Sequence, residues 1–219
     1  MSDFQREEYH RDGFTVIDDV VTTAADWRDL VLASPLLSAV YTPQEKRTVA
    51  AGEGYNLHRV LDRFETDATL PTVRELYRDV LERAKEIAGP QASSSPYARS
   101  AYYVKVYDPP AGQQGWHFDT NDVSGVLYLT SHTQSGATVV TSLDGVIHRL
   151  QPRAGSLLLL QGTKCWHRAD AVLDRPKITL LLNYYLGTPA PRHPELDTII
   201  FGSSEPRPGL QQNAVEANP

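Results

Sequence analysis

Three side chains in this 219-residue chain have the types and spacing needed to hold a metal ion. In Gly115-Trp116-His117-Phe118-Asp119-Thr120 an imidazole and a carboxylate stand two residues apart. On an extended chain, residues i and i+2 project to the same side, so His117 and Asp119 can aim at one point. A second imidazole, His167, follows the apolar run Ser156–Gln161 further along the chain. A few strands and turns would return it beside the first pair. Two imidazoles and one carboxylate on one face of an octahedral ion leave the other positions open, the arrangement of oxygen-activating non-haem iron(II). An isolated His-x-Asp is common by chance; the distal histidine, and the cations that follow it at Arg175 and Lys177, give this one weight.

The elements that must position these groups are legible in outline. After residue 97 the chain breaks into short β-type runs separated by Gly, Pro, Asp and Ser: Ser100–Tyr107, Gly125–Thr130, Ala137–Thr141, Val146–Leu150, Ser156–Gln161 and Lys177–Leu186. Regularly spaced short strands of this kind predict a sandwich or barrel, and an eight-stranded jelly roll fits best. Before residue 91 the pattern is mostly helical. Asp3 to His10 reads as a helix stopped by Gly13, Phe14–Ile17 as a strand, and Thr22 or Thr23 as the cap of a helix reaching Ala33. Thr72 to Ala88 carries apolar residues three and four apart and ends at Gly89-Pro90. The expectation is a mainly β single domain (1–219), a double-stranded β-helix of cupin-like type. A helical N-terminal part (1–96) packs on a jelly-roll core (97–190), and a flexible tail runs over 203–219.

Composition narrows the function classes. Hydrophobic residues make up 41% and charged residues 22%, which is globular. A formal net charge of −6 with no Lys/Arg cluster disfavours nucleic acid and anionic membranes as partners. The lone Cys165 excludes an intramolecular disulfide and a cysteine-rich zinc site. The charged start, MSDFQREEYHRDG, has no apolar targeting segment, and no apolar run is long enough to span a bilayer. A soluble, cytoplasmic protein acting on a small molecule is expected.

From Tyr107 to Tyr185 the chain resembles the core of Fe(II)/2-oxoglutarate-dependent oxygenases. The matching pieces are Tyr107, His117-Phe118-Asp119, Val126–Leu129, Gly155–Leu160, His167 and Arg175-Pro176-Lys177-Ile178-Thr179. W-H-F-D-T-N-D and the later P-K-I-T-L-L-L-N-Y-Y are similar to small bacterial members that hydroxylate or halogenate free amino acids. Tyr9–Ile17 resembles the start of phytanoyl-CoA-hydroxylase-like members. The resemblance implies Fe(II) on His117, Asp119 and His167, with 2-oxoglutarate and O2 as co-substrates. It also implies a cation for the distal carboxylate of 2-oxoglutarate. Arg175 is favoured, because relatives place an arginine four residues before the position of Thr179. Lys177, standing where several relatives have serine, assists it or replaces it. Tyr107 and Tyr128 are expected to line the cofactor pocket.

Asp119 bears on the reaction type: halogenating relatives carry Gly or Ala there to make room for halide, so hydroxylation, desaturation or cyclisation is expected. For substrate binding the candidates are Asn183, Asp122 and Arg59, with Asn121 and Arg63 behind them, each also readable as an ordinary structural polar residue. Trp116 and Trp166 should point away from the metal into packing, and Cys165 should be a buried inert thiol. A free amino acid is the expected substrate. The alternatives are the same chemistry on a larger natural product or carrier-tethered substrate, a zinc-dependent cupin, or a non-catalytic jelly-roll binding protein.

Overall fold

The computed structural model describes residues 3–42, 56–189, 191–208 and 210. Helix α1 (Asp3–Asp12) runs into β1 (Phe14–Ile17), followed by α2 (Ala24–Ala33), β2 (Ser38–Thr42), β3 (Asn56–Leu61), α3 (Arg63–Thr69) and α4 (Val73–Ala88). The remainder is nearly all β: β4 (Ala92–Ser94), β5 (Tyr102–Tyr107), β6 (Gln114–His117), β7 (Val123–Tyr128), β8 (Thr138–Thr141), β9 (Ile147–Leu150), β10 (Leu157–Gln161), β11 (His167–Ala169) and β12 (Lys177–Leu186), closed by the short helix α5 (Leu196–Phe201). Among the described residues eight strands form one sheet, in the order β1-β10-β7-β12-β5-β3-β2 with β4 beside the end of β12. Four form a second sheet, β6-β11-β8-β9. All pairings are antiparallel. This is the expected jelly roll.

The large sheet is buried on both faces, so its central strands are buried at every position and mostly apolar rather than alternating. Val104, Val106, Leu157, Leu159, Leu180 and Leu182 belong to one core cluster with Trp27, Val31, Val80 and Ile87 of the helices. Val126, Tyr128, Leu158 and Leu160 face the other way, packing with Val140 of the small sheet. Helix α4 is the firmest clamp. Its Tyr77 ring stacks on Tyr184 of β12 at 4.8 Å. The Tyr77 hydroxyl donates to the Asn183 carbonyl, and the Tyr184 hydroxyl donates back to the Tyr77 carbonyl, both at 2.8 Å. Gly13 ends α1 with φ +86°, a conformation that glycine adopts without penalty. The turn lets its carbonyl accept from Gln161 N at 2.7 Å.

The N-terminal part also contributes strands to the large sheet: β1, the expected strand Phe14–Ile17, pairs with β10 at one edge, and β3, which was not expected, pairs with β5 towards the other. Of the tail expected to be flexible, 209 and 211–219 lie outside the described residues, and the part next to α5 is anchored. Arg99 donates to the Ser203 carbonyl at 2.7 Å and is ion-paired with Asp62 at 2.9 Å, while Arg207 pairs with Glu65 at 2.7 Å. No helix among the described residues is long and apolar enough to cross a membrane.

Leu180 is fully buried between sheet and helices, whereas Leu173 is 66% exposed. Leu180→Ala is expected to cost about 3 kcal/mol and to lower the thermal midpoint by roughly 10 °C. Leu173→Ala should stay within about 0.5 kcal/mol. Equal midpoints for the two variants in thermal unfolding would contradict this placement of the core.

Candidate metal centre and its cavities

Antiparallel pairing of β6 with β11 sets His167 directly opposite His117. The rings lie 4.2 Å apart. Asp119 follows β6 on a turn whose backbone N–H donates to the Gly162 carbonyl at 2.9 Å. Its carboxylate reaches both imidazoles, at 3.4 Å from His117 Nε2 and 3.6 Å from His167 Nε2. The three ligand atoms lie within 4.8 Å of one another, a spread that one first-row ion with bonds of about 2.1 Å can draw together.

The tautomers are set locally. His117 Nδ1 lies 2.8 Å from the Gly115 carbonyl and His167 Nδ1 lies 2.9 Å from the Cys165 carbonyl. A carbonyl only accepts, so each Nδ1 carries the proton and each Nε2 keeps a lone pair for a metal. Burial, reinforced by the neighbouring His167, pushes His117 down to about 4, so it is neutral and ligand-ready at physiological pH. Burial opposes charge on Asp119, yet the two imidazoles and the Ser124 hydroxyl hold it well below the usual carboxylate range. Ser124 Oγ donates to Asp119 Oδ2 at 2.5 Å and accepts from Asn121 Nδ2 at 2.8 Å, so Asn121 supports the ligand through Ser124. Gly162 is required by close approach: a Cβ there would sit 2.5 Å from Ser124 Oγ and 3.0 Å from the Asp119 Cβ.

Two cavities adjoin this centre and share Tyr103, Lys105, Gln114, His117 and Asp119. The first also reaches His167, Tyr107, Thr138, Lys177 and Thr179. Here the structure corrects the expectation for the cation. Arg175 lies in the bend before β12, 58% exposed, donating to the Ser131 carbonyl at 2.7 Å. It does not line the cavity. Lys177, the first residue of β12, is 1% exposed and does. The chain bends ahead of Pro176, so the strand parity that would have put Arg175 on the same side as Lys177 does not extend back to it. Lys177 Nζ donates to Thr138 Oγ1 at 3.2 Å and sits over the Tyr107 and Tyr128 rings at 5.5 and 5.7 Å. Burial, only partly offset by the Asp170 carboxylate, pushes its ammonium down to about 7. Tyr128 closes the group from behind, its hydroxyl donating to Thr138 Oγ1 at 2.8 Å. The buried Thr179 Oγ1 has no hydrogen-bond partner.

The second cavity lies beside Phe118, Thr120 and Asn121 and is walled by Ser100, Asn183, Tyr185, Arg192 and the aliphatic side chains of α5. Of the substrate candidates, Asn183 lines it, donating to the Ser100 carbonyl at 2.7 Å. Asp122 does not: its carboxylate accepts from Leu186 N at 2.9 Å and so ties the segment before β7 to the end of β12. Arg59 is held away by a two-point ion pair with Asp108, at 2.7 and 2.8 Å. Arg63 lies over the Tyr102 ring, near Asp67. Trp116 and Trp166 stack on one another at 6.2 Å, half-buried and outside the core clusters, with Arg168 over Trp116. Cys165 is fully buried and its thiol is pushed up to about 11, as befits an inert group.

Sequence reasoning missed Lys105, Gln114, Ser124, Thr138 and Arg192. Gln114 stands three residues before His117, which on a regular strand would put it on the opposite face. A register shift in the β6–β11 pairing brings it round, and its Nε2 lies 2.7 Å from His117 Nε2. Ser124 had a usable signal, since it is one of the few polar residues in an apolar strand.

No protein-family model and no curated protein matches the sequence. Solved structures do match. SnoN, an epimerase of nogalamycin biosynthesis solved with Fe3+, alpha-ketoglutarate and nogalamycin RO, is similar with a TM-score of 0.64 at 15% identity, over 94% of this chain and 90% of that one. HygX from Streptomyces hygroscopicus, solved with nickel, 2-oxoglutarate and hygromycin B, gives 0.61 at 14% identity over 85% and 88%. A Pseudomonas putida prolyl-4-hydroxylase gives 0.53 at 18% identity over 83% and 97%. The chain shares the fold of 2-oxoglutarate-dependent iron oxygenases.

Supporting hydrogen bonds of this kind usually change metal affinity 10- to 100-fold when lost. Ser124→Ala should therefore weaken Co(II) binding by roughly that factor, followed by absorption titration, with little change in the unfolding midpoint of the metal-free protein. Unaltered Co(II) affinity would show that the Ser124–Asp119 bond does not position the carboxylate.

Proposed function

We propose that the protein is an Fe(II)/2-oxoglutarate-dependent oxygenase that oxidises a small molecule, with iron on His117, Asp119 and His167. The observation carrying this reading is the buried Lys177 ammonium in a cavity shared with all three of those residues. A buried charge without a counter-ion is costly, and a carboxylate in that cavity removes the cost. The surroundings fit one. Thr138 Oγ1 already accepts two hydrogen bonds, from Lys177 and Tyr128, which leaves its own hydrogen to donate. Thr179 offers a second, unused hydroxyl. Lys177, Thr138 and Thr179 would hold the distal carboxylate of 2-oxoglutarate, while its keto-acid end reaches the open side of the metal.

Iron(II) with 2-oxoglutarate supplies oxidising power from O2 by oxidative decarboxylation to succinate and CO2. This chain's residues hold the ligands in one tautomer and keep Asp119 ionised. They also leave the second cavity, across Phe118 and Asn183, for the molecule to be oxidised. Because Asp119 would occupy a coordination position that halide needs, we assign hydroxylation or a related hydrogen-abstracting oxidation rather than halogenation. The free amino acid expected from the sequence resemblance has weak support: among the described lining residues no carboxylate other than Asp119 is available to its ammonium group.

Anaerobic titration of the protein with Fe(II) and then 2-oxoglutarate tests the assignment. A weak visible charge-transfer band should appear, and should be missing from His167→Ala. A folded protein that gives no band would leave a different metal or a binding-only jelly roll.

Truncating one partner of a buried ion pair costs about 2 kcal/mol or more, so Lys177→Ala should weaken 2-oxoglutarate binding at least about thirtyfold. Arg175→Ala should change it by less than about threefold, and the reverse order would return the role to Arg175. The depressed Lys177 value sets a pH dependence. The ammonium is charged below about 7 and progressively neutral above it. Affinity of the Fe(II) protein for 2-oxoglutarate should therefore be flat below that value and fall by up to about tenfold per pH unit above it. A profile rising with pH would contradict the role of Lys177.

A further inference from the structure

The second cavity carries information about what enters it. The carboxylate that lines it is Asp119, already engaged by two imidazoles and Ser124. Two cations line it, Lys105 and Arg192. Lys105 donates to Gln114 Oε1 at 2.8 Å and is 3% exposed. Arg192, with its side chain 11% exposed, is fixed by Ser100 Oγ at 2.8 Å, Asp197 at 2.5 Å and the Tyr97 ring at 4.9 Å.

Lysine and arginine carry hydrogen-bond donors and no acceptor. Asn183 has committed an amide N–H to the Ser100 carbonyl, which leaves its oxygen as an acceptor, and the hydroxyls of Ser100, Thr120, Tyr103 and Tyr185 are neutral. Asp197 balances Arg192, but no carboxylate among the described lining residues other than Asp119 is there to balance a second cation. An incoming ammonium group would meet neutral oxygens only, beside Lys105 and Arg192, so its charge would be buried without a counter-ion. A carboxylate, carbonyl or hydroxyl oxygen would instead accept from those two cations. On the opposite side Leu196, Ile199 and Ile200 of α5 present an aliphatic surface.

We infer that the molecule oxidised has an oxygen-rich, uncharged or anionic head and an apolar body, and bears no free ammonium group: a carboxylic acid, or an amino acid whose amine is acylated, rather than a free amino acid. Arg192 is the specificity-determining residue for that head. The inference rests on the oxygenase reading for the term "oxidised", but the charge preference belongs to the cavity itself.

The test uses protein loaded anaerobically with Fe(II) and 2-oxoglutarate and probed with matched triplets: L-phenylalanine, N-acetyl-L-phenylalanine and 3-phenylpropanoate, and the corresponding leucine series. Perturbation of the visible band gives half-saturation for each. The N-acetyl and des-amino members should bind at least tenfold more tightly than the free amines. Arg192→Gln should weaken them at least tenfold with 2-oxoglutarate affinity within twofold, and Arg192→Lys should recover part of the loss. Free amines binding as tightly as their acylated partners, or Arg192→Gln binding all probes unchanged, would overturn the inference. If 2-oxoglutarate itself gives no band, the oxygenase reading fails instead, and the same comparison is then read from tryptophan fluorescence of the metal-free protein.

Discussion

The site depends on one backbone constraint, the register in which β6 meets β11. His117 opposes His167 there, and because side chains alternate at every residue along a strand, a slip of one position would turn one imidazole to the other face. The same local device then fixes both rings: in each case Nδ1 meets the carbonyl two residues earlier, Gly115 or Cys165. The backbone that sets the register therefore also sets the tautomer. Asp119 joins through a second backbone contact, at Gly162, where the loops approach too closely for any side chain. Register, tautomer and the Gly162 contact together bring the three candidate ligand atoms within 4.8 Å of one another.

The large sheet supplies the rest by having two buried faces. On β12, Ile178, Leu180, Leu182 and Tyr184 are embedded against the helices, and Tyr77 of α4 locks the strand by stacking and by hydrogen bonds in both directions. The intervening residues Lys177, Thr179, Leu181, Asn183 and Tyr185 line the two cavities in order. Lys177 and the Asn183 amide thus lie two-residue steps apart along one strand. This is also how a buried lysine is tolerated: the apolar burial on the helix face of the same strand offsets the desolvation of its ammonium.

What could be read beforehand follows the range over which the physics acts. The strands of the core and helix α4 are written in local periodicity, and their observed bounds fall within a few residues of the expected ones. His117, Asp119 and His167 were legible because residue type and i, i+2 spacing restrict them strongly. Arg175 is preferred to Lys177 on the resemblance alone; both precede the same apolar run, and only the bend before Pro176 decides which faces inward. β3 was not legible: Asn56-Leu57-His58-Arg59-Val60-Leu61 has no clean alternation, and its pairing with β5 is a long-range event. Gln114 was hidden by the register shift, and Arg192 by lying outside any regular element, where its partner Asp197 comes from the following helix.

Gln114 ties the polar groups of the centre together. Its carboxamide oxygen accepts from Lys105 at 2.8 Å and from Tyr107 at 3.0 Å, and its amide nitrogen lies 2.7 Å from His117 Nε2. With His117 neutral and protonated on Nδ1, that amide N–H is the natural donor to the Nε2 lone pair. One lone pair can serve an amide hydrogen or a metal ion, but not both. A metal on Nε2 would therefore displace the amide, while the carboxamide oxygen could keep its two donors as a pivot. The displaced amide would be a donor at the boundary of the two cavities, both of which Gln114 lines. The residue that caps the His117 lone pair is thus also the one that adjoins both cavities.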